Sequence, residues 1–334
     1  MRKHSGRLAR MISLAHARRS DALMRACTTL TVAEFDALAR ELALRWAAQQ
    51  RAHTVQGTPR QRQPGGGVKG ALPTAELKLF FILIYYKVYP TQRFMGVLFG
   101  LTQGQISDWV QRLTAALSGL LTLHKPARQV RDLRDLLLRE PALQEVIIDG
   151  TERRLPRPVH AGRQRRYYSG RKKRHTIKNV LVTGGGKVHW CSPTVPGRRH
   201  DLAVAKTARL RLPKEVTVLA DSGFLGLDPG PAALITPWKK PRGRPLHWKR
   251  RAFNRLLARE RVKVEHTLAS VKRLRILKDE FRNRRKGMAD EVMVLGCALH
   301  NYRWTCRQET AASNPKKPGP HFHPMFSSLI PDPL

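Results

Sequence analysis

The stretch Thr176–Pro193, TIKNVLVTGGGKVHWCSP, decides the fold of this chain. Its apolar, β-branched segments Thr176–Thr183 and Val188–Pro193 flank a run of glycines, and this pattern predicts a β-hairpin. Short apolar runs on either side predict further strands at Glu145–Asp149, Val216–Ala220 and Ala233–Thr236. Helical spacing of apolar residues then predicts helices over 201–209, 249–277 and 291–304. The order of these elements predicts an α/β fold, with a mixed sheet flanked by helices.

The N-terminal side of the chain has an all-helical pattern. A Thr-x-x-Glu capping box and apolar residues at helical spacing predict a helix over 31–50. Further helices are predicted over 74–87, 91–99 and 103–121, with a glycine-containing turn before the last, which is typical of a helix-turn-helix. A plain three-helix packing element explains the same pattern. The polar residues of the last helix predicted to face outward and to reach DNA are Gln103, Gln105, Ser107 and Arg112.

These patterns divide the chain into four parts. We expect a basic helical segment and linker over 1–65, a helix-turn-helix domain over 66–125, an α/β domain over 126–308 and a disordered tail over 309–334. No apolar run reaches the ~20 residues of a bilayer span, and no secretory signal is apparent. We therefore expect no contact with a membrane. The widely spaced cysteines form no C-x-x-C pair, which predicts reduced thiols in a cytoplasmic protein.

The charge of the chain is far from balanced. Lys and Arg number 63 against 24 Asp and Glu, which gives a formal net charge of +39. So much like charge repels itself, so we expect a polyanionic partner, and nucleic acid is the leading candidate. The richest run, 163–178, contains no acid and interleaves tyrosines with cations. The cations predicted to hold DNA phosphates near the site include Arg171, Lys172, Lys173, Arg174 and Lys178.

Because acids are rare, their placement is informative. Asp149 ends one predicted strand in IIDGTE, Asp221 ends another in LADSGF, and Glu265 lies on the long helix. If these carboxylates converge, they form an oxygen cage for two Mg²⁺ ions, which can activate a hydroxyl and stabilise the leaving oxygen at a phosphodiester. Ordinary turn chemistry also explains the two aspartates. An Arg261–Glu265 ion pair at i,i+4 also explains the glutamate.

Several neighbours of these acids carry further hypotheses. Arg261, Glu265 and Lys272 are spaced by four and seven residues, which places them on one face of a helix at about 100° per residue. This arrangement suits a metal ligand flanked by phosphate clamps. His200 and Asp201 begin the helix after the hairpin, where Asp201 is most simply an N-cap and alternatively lies near the metal site. The segment 239–255 contains Pro-Arg-Gly-Arg-Pro, which suits DNA contact or a solvated loop.

Taken together, these blocks resemble the insertion-sequence-5 group of bacterial transposases and related DDE-superfamily endonucleases. The similar blocks are, in order, IIDGTERRLPRP, YYSGRKKRHTIKN, VPGRRHDLAVAK, LADSGFLG, FRNRRKG and ALHNYRW. Arg261, Glu265 and Lys272 match the family's Y-x2-R-x3-E-x6-K signature, with Ala258 at the tyrosine position. Residues 72–113 are similar to the helix-turn-helix module that precedes such catalytic domains. The resemblance covers roughly Pro73–Trp304.

The resemblance implies a ribonuclease-H-like core in which Asp149, Asp221 and Glu265 are catalytic and bind two Mg²⁺ ions, with Mn²⁺ able to substitute. It implies a nucleoid-associated bacterial DNA transposase that binds terminal inverted repeats, cleaves the ends and joins their 3′-hydroxyls to target DNA. Its partners would be double-stranded DNA and a second copy of the chain, or more copies, in a synaptic complex. Two alternatives stay open: a catalytically inactive or domesticated helix-turn-helix protein, and a general metal-dependent nuclease.

Overall fold

The computed structural model describes residues 13–52, 58–59, 61, 70–127 and 135–313. The chain forms two compact units. Unit 1 contains residues 1–123 and 273–279, and unit 2 contains residues 124–272 and 280–334. The four cysteines lie within the described part, and no disulfide joins them there. No helix within these ranges is long and apolar enough to cross a membrane.

Unit 1 is helical where the structure describes it. Its helices are α1 (Leu14–Ala17), α2 (Asp21–Thr28), α3 (Val32–Ala52), α4 (Ala75–Val88), α5 (Gln92–Phe99) and α6 (Gln103–Leu120). The predicted capping box starts α3, because the Thr31 N–H donates to Glu34 Oε2 at 2.7 Å and the Glu34 N–H donates to Thr31 Oγ1 at 3.1 Å. The apolar helix α4 is buried almost all round, since α2, α3 and α6 pack against it.

The helices α4, α5 and α6 lie within one residue of their predicted positions. The turn between α5 and α6 depends on two glycines. Gly100 ends α5 in the left-handed region at φ 65°, and a Cβ at Gly96 would lie 2.5 Å from the Leu101 carbonyl oxygen. Thr102 then caps α6. The function of these helices as a DNA-reading helix-turn-helix stays a prediction.

Unit 2 is built on a mixed sheet that has seven strands within the described residues. The strands are β1 (Glu145–Arg154), β2 (Tyr168–Ser169), β3 (Arg174–Gly184), β4 (Lys187–Cys191), β5 (Val195–Pro196), β6 (Thr217–Ala220) and β7 (Ala233–Ile235). The order is β2-β3-β1-β6-β7, with β4 and β5 also pairing with β3. Strand β1 runs antiparallel to β3 and parallel to β6, which is parallel to β7.

Helices flank this sheet: α7 (Asp135–Arg139), α8 (Ala161–Tyr167), α9 (Asp201–Ala208), α10 (Trp248–Val271) and α11 (Met288–Ser313). The architecture confirms the predicted mixed α/β class and is consistent with a ribonuclease-H-like fold. The predicted hairpin is β3–β4, whose turn uses Gly185 and Gly186 at positive φ. A Cβ at Gly186 would overlap the Trp304 indole, so both the positive φ and the lack of space require glycine at this position. The core contains Val146, Ile148, Val180, Val182, Trp190 and Val218.

Strand β1 is longer than predicted, which corrects the position of Asp149. The strand continues to Arg154 because β3 pairs with it as far as Arg154↔Thr176. The parallel pairing with β6 stops earlier, at Ile148↔Ala220. Asp149 therefore lies within a strand, but at the point where its parallel neighbour ends.

Other boundaries differ for local reasons. Helix α10 ends at Val271 instead of 277, and a separate 3-10 turn, Arg275–Leu277, follows it. Helix α11 continues to Ser313, so residues 309–313 are helical, not part of a disordered tail. The sequence after residue 304 has no apolar periodicity, but it contains residues that favour a helix. Residues 314–334 and most of the predicted linker lie outside the described residues.

Candidate active site

Asp149 and Asp221 lie side by side at one edge of the sheet. The last parallel pair is Ile148↔Ala220, so the two aspartates are the next residues on neighbouring strands, which lie about 4.8 Å apart. Asp221 begins the 3-10 turn Ser222–Phe224, and its Oδ1 accepts the Gly223 N–H at 2.7 Å. Strand pairing, not loop conformation, brings the two carboxylates together.

Burial and neighbouring charges act on Asp149. Burial raises the pKa of its carboxyl above the ordinary value, against a backbone hydrogen bond from Gly150 and the Arg261 guanidinium, which both lower it. The carboxylates of Asp221 and Asp201 raise the Asp149 pKa further. The structure therefore gathers three acids and one arginine around this point of the sheet.

Asp201 reaches this position from the start of α9. The N-cap of α9 is His200, whose Nδ1 accepts the Leu202 N–H at 3.4 Å, so the predicted N-cap role of Asp201 is wrong. The Asp201 carboxyl packs on Gly150, where a Cβ would lie 2.8 Å from Asp201 Cγ. Sequence periodicity could not show this contact, because it joins β1 to α9.

Lys178 lies beneath the same carboxylate. The residue is only 6% exposed, and its Nζ contacts Asp201 Oδ1 at 2.9 Å, Glu152 Oε1 at 3.4 Å and the Arg199 carbonyl oxygen at 2.9 Å. Thr176 Oγ1 also donates to Glu152 Oε2 at 2.7 Å. Lys178 was predicted to contact DNA phosphates from an exposed basic run, but α8, α9 and α10 pack on β3 and bury this part of it. The predictions also missed Glu152, which carried no signal of its own in the sequence.

Helix α10 brings the predicted cationic face to the sheet. It packs against β1, β3 and β6. The Arg261 guanidinium acts on Asp149, and the Arg261 Nε is buried without a hydrogen-bond partner among the described residues. Burial lowers the pKa of Lys272, Lys172 lowers it further, and Asp149 raises it. Glu265 is exposed on the same helix, one turn after Arg261.

The donor set fits a hard divalent cation that the substrate helps to hold. Within the described ranges, no three His, Cys, Asp or Glu side chains are grouped closely enough to hold a metal ion alone. Asp149 and Asp221 still offer carboxylate oxygens at neighbouring positions, and their repulsion, which raises the Asp149 pKa, is what a cation relieves. Mg²⁺ commonly takes one or two carboxylates and completes its shell with waters and substrate phosphates.

A basic surface lies on the same unit. The predicted cations Arg171, Lys172 and Lys173 are exposed between β2 and β3, Arg174 is exposed at the start of β3, and His200 is exposed before α9. A groove of about 720 Å³ is also lined by arginines. Its lining residues are Gly162, Arg165, Arg166, Thr194, Val195, Pro196, Arg198 and Arg199. A concave surface with four guanidinium groups and no carboxylate suits phosphate groups.

In unit 1, the predicted DNA-reading side chains of α6 have different environments. Gln103 is exposed. Gln105 Oε1 accepts the Thr102 N–H at 2.9 Å in the capping box, and Ser107 Oγ is 3.5 Å from Gln111 Nε2. Arg112 was expected to face outward but is half-buried. Its guanidinium lies over an aromatic pair, 4.7 Å from the Trp109 ring centroid and 5.4 Å from that of Trp46, because cation–π stacking favours the covered position.

The raised pKa of Asp149 makes a prediction about stability. A folded-state pKa above the unfolded value of 3.8 means that ionising Asp149 destabilises the metal-free fold as pH rises through the folded pKa. Below the unfolded value this penalty is absent. We therefore expect Asp149→Asn to raise the metal-free melting temperature at pH 7, and the gain to shrink toward pH 4.

Thermal unfolding in a chelator at several pH values measures this difference. Asp228→Asn, at an exposed aspartate, should show little change across the same range. Adding Mg²⁺ should stabilise the wild type but not Asp149→Asn. A metal-free Asp149→Asn that melts below the wild type at pH 7 would contradict the electrostatic account.

Comparisons with known proteins agree with this geometry. Residues 148–301 match the family model described as DDE superfamily endonuclease, a class that uses divalent metal ions. The chain is also similar to the probable transposase for insertion sequence element IS702 of Microchaete diplosiphon, with 28% identity over 218 residues. That alignment covers 63% of this chain and 74% of the relative. No solved structure matches.

Proposed function

We propose that this protein is a DNA transposase that binds the terminal inverted repeats of its element through unit 1. In this proposal, unit 2 cleaves the ends and joins their 3′-hydroxyls to target DNA. The observation that carries the proposal is that Asp149 and Asp221 directly follow the last parallel pair of β1 and β6, Ile148↔Ala220. Both aspartates lie within the region similar to a DDE superfamily endonuclease. The likeness to a probable insertion-sequence transposase supports transposition over unspecific hydrolysis.

Asp149 and Asp221 would hold the divalent ions, with Glu265 of α10 as the third ligand. Two Mg²⁺ ions held by these carboxylates would supply activation of the attacking hydroxyl and stabilisation of the leaving oxygen. Arg261 favours the ionised form of Asp149, which is the form that ligates a cation. Arg261 and Lys272 place positive charge beside the carboxylates, where a phosphodiester would otherwise be repelled. Asp201, anchored by Lys178, fixes the position of Asp149 through its contact with Gly150.

The charge of the chain supports DNA as the substrate. The formal net charge is +39, and unit 2 carries both the exposed 171–174 turn and the arginine groove. Phosphate contacts release counterions, so the affinity for DNA should fall steeply with salt. Joining two ends in one event also requires more than one active site, so we propose a dimer or larger assembly.

Recognition of the ends is assigned to α6. Replacing Gln103 and Gln105 with alanine should reduce the preference for terminal repeats over unrelated DNA by about 10-fold, since one bidentate base contact contributes about 1–3 kcal/mol. The Gln105 change also removes the capping-box acceptor of the Thr102 N–H. Adding Arg112→Ala should affect stability as well, because Arg112 packs over Trp109 and Trp46. Competition binding with both DNAs measures the preference.

Gln111→Ala, farther along α6, serves as the matched control and should leave the preference unchanged. An unchanged preference in the Gln103→Ala, Gln105→Ala variant would identify α6 as a packing helix only. In that case the assignment of end recognition to α6 would be wrong.

The decisive experiment incubates the protein with a plasmid that carries the element's ends and Mg²⁺ or a chelator. We expect metal-dependent cleavage at the ends and products joined to target DNA. Cleavage without end specificity or joining would identify a general nuclease. Specific binding without cleavage would identify a non-catalytic DNA-binding protein. Either result would overturn the proposal.

A further inference from the structure

A tryptophan begins the basic segment that follows β7. Trp238 is 43% exposed, so a large part of its aromatic surface is open to solvent. The segment that follows, 239–255, is rich in Lys and Arg, and residues 229–259 contain no Asp or Glu. Its surroundings are therefore suited to a polyanion.

Trp238 follows the strand that is the sheet neighbour of the one ending before Asp221. Strand β7 is parallel to β6, with Leu219 opposite Ile235. Strand β7 ends at Ile235, which is level with Leu219 of β6, and Trp238 is the third residue after it. Neighbouring parallel strands lie about 4.8 Å apart and end on the same side of the sheet, so the segment with Trp238 leaves the sheet on the side where Asp221 follows β6.

Side chains of α10 hold Trp238 in place. Asn254 Oδ1 accepts the Trp238 N–H at 2.9 Å, and Asn254 Nδ2 donates to the Trp238 carbonyl oxygen at 3.0 Å. The Arg250 guanidinium lies 4.2 Å from the Trp238 ring centroid. The backbone is clamped and one ring face is stacked, so a ligand binding to the ring meets little ordering cost.

The chemistry of this ring matches a nucleobase better than an apolar partner. Aromatic rings stack on bases of any identity, and a positively charged setting holds the adjoining phosphates. A base inside a duplex is covered by its neighbours and cannot stack on a protein ring without leaving the helix. The matching occupant is therefore an unpaired base of a DNA strand.

We propose that Trp238, backed by Arg250, is a stacking platform for an unpaired nucleobase of the DNA whose backbone enters the active site. This inference rests on the proposed function and names a positioning residue for it. Trp238 carries no chemistry itself and holds the strand through the base next to the reacting phosphate.

The test uses duplex oligonucleotides that carry one unpaired adenine, and matched duplexes in which that position is abasic. The wild type should bind the base-containing duplex about 5- to 100-fold more tightly, the range that base–aromatic stacking provides. Trp238→Ala should abolish this difference, whereas Trp238→Phe should keep most of it. Trp248→Ala is the matched control, since Trp248 is 66% exposed at the start of α10 but lacks the asparagine clamp.

A second measurement uses the wild-type protein alone, so its result does not depend on whether a variant folds. An unpaired 2-aminopurine should lose fluorescence on binding to the wild type, since stacking quenches it. Equal wild-type affinity for base-containing and abasic duplexes, or loss of the preference in Trp248→Ala but not in Trp238→Ala, would overturn the inference. A base preference that persists in a protein without metal-dependent cleavage would instead reject the proposed function and leave the stacking site intact.

Discussion

Replacing Asp149 with asparagine is expected to reduce metal-dependent DNA cleavage by about 10³-fold or more while DNA binding is retained. Bound metal ions contribute several kcal/mol of transition-state stabilisation, and about 4 kcal/mol corresponds to about 10³-fold in rate. The amide keeps the shape of the side chain but loses the charge that holds a cation. Asp221→Asn and Glu265→Gln should have effects of the same order.

The expected stability of Asp149→Asn makes this result interpretable. The electrostatic argument predicts that the metal-free variant is at least as stable as the wild type at pH 7, so lost cleavage cannot be attributed to unfolding. Asp228→Asn provides the control, as it removes an exposed carboxylate that accepts the Gly230 N–H and lies outside the site. Cleavage of DNA ends at near wild-type rates in any of the three variants would remove that residue from the proposed metal site.

Glu265 is the most informative of the three acids. It is exposed on α10, whereas Asp149 and Asp221 are already adjacent through strand pairing. If Glu265 acts as the third ligand, Glu265→Gln should raise the Mg²⁺ concentration that the remaining cleavage requires and leave the metal-free melting temperature unchanged. A loss of stability without a change in metal dependence would assign it a structural role.

Replacing Lys178 with methionine is expected to destabilise unit 2 by about 3–5 kcal/mol, the range for removing one partner of a buried ion pair. The change leaves the carboxylates of Glu152 and Asp201 without their shared cation, in a position where Lys178 is 6% exposed. Chemical denaturation of the variant and the wild type measures the difference. The movement of Asp201 away from Asp149 should reduce cleavage as well.

A double-mutant comparison separates the interaction between Lys178 and Glu152 from the effect of each side chain alone. Adding Glu152→Gln to Lys178→Met removes one of the uncompensated charges, so the double variant should lose less stability than the single changes together. Lys214→Met, at an exposed lysine, is the control and should change stability by no more than about 0.5 kcal/mol. If Lys178→Met is as mild as Lys214→Met, the buried network does not hold this part of the fold.

Local patterns predicted most of the elements that position the site. Short apolar, β-branched segments identified β1, the β3–β4 hairpin and β6, and a capping box identified the start of α3. The sequence also placed Asp149 and Asp221 directly after the apolar residues of two predicted strands. The positions of strands and helix starts depend on residues that are close in the sequence, so local sequence patterns can predict them.

The predictions failed where a side chain's environment is set by another element. Lys178 belongs to a run of cations that looks uniformly exposed, but helices cover β3 at that point. Arg112 sits on the polar side of its helix, yet Trp46 of α3 provides a ring for it to stack on. In both cases, a carboxylate or an aromatic ring from a distant segment determines whether the cationic side chain is exposed to solvent or buried.

By itself, the sequence determined the class of fold, the strong positive charge and the acids available for metal binding, because composition and short-range periodicity specify them. The tertiary structure alone decided which acids meet and which cations are withdrawn from the surface. It joined Asp201 and Lys178 into one network, left Glu265 exposed and clamped Trp238 at the edge of the sheet. The physical reason is that the burial and the charged neighbours of a side chain decide what it can do, and those neighbours come from segments far apart in the chain.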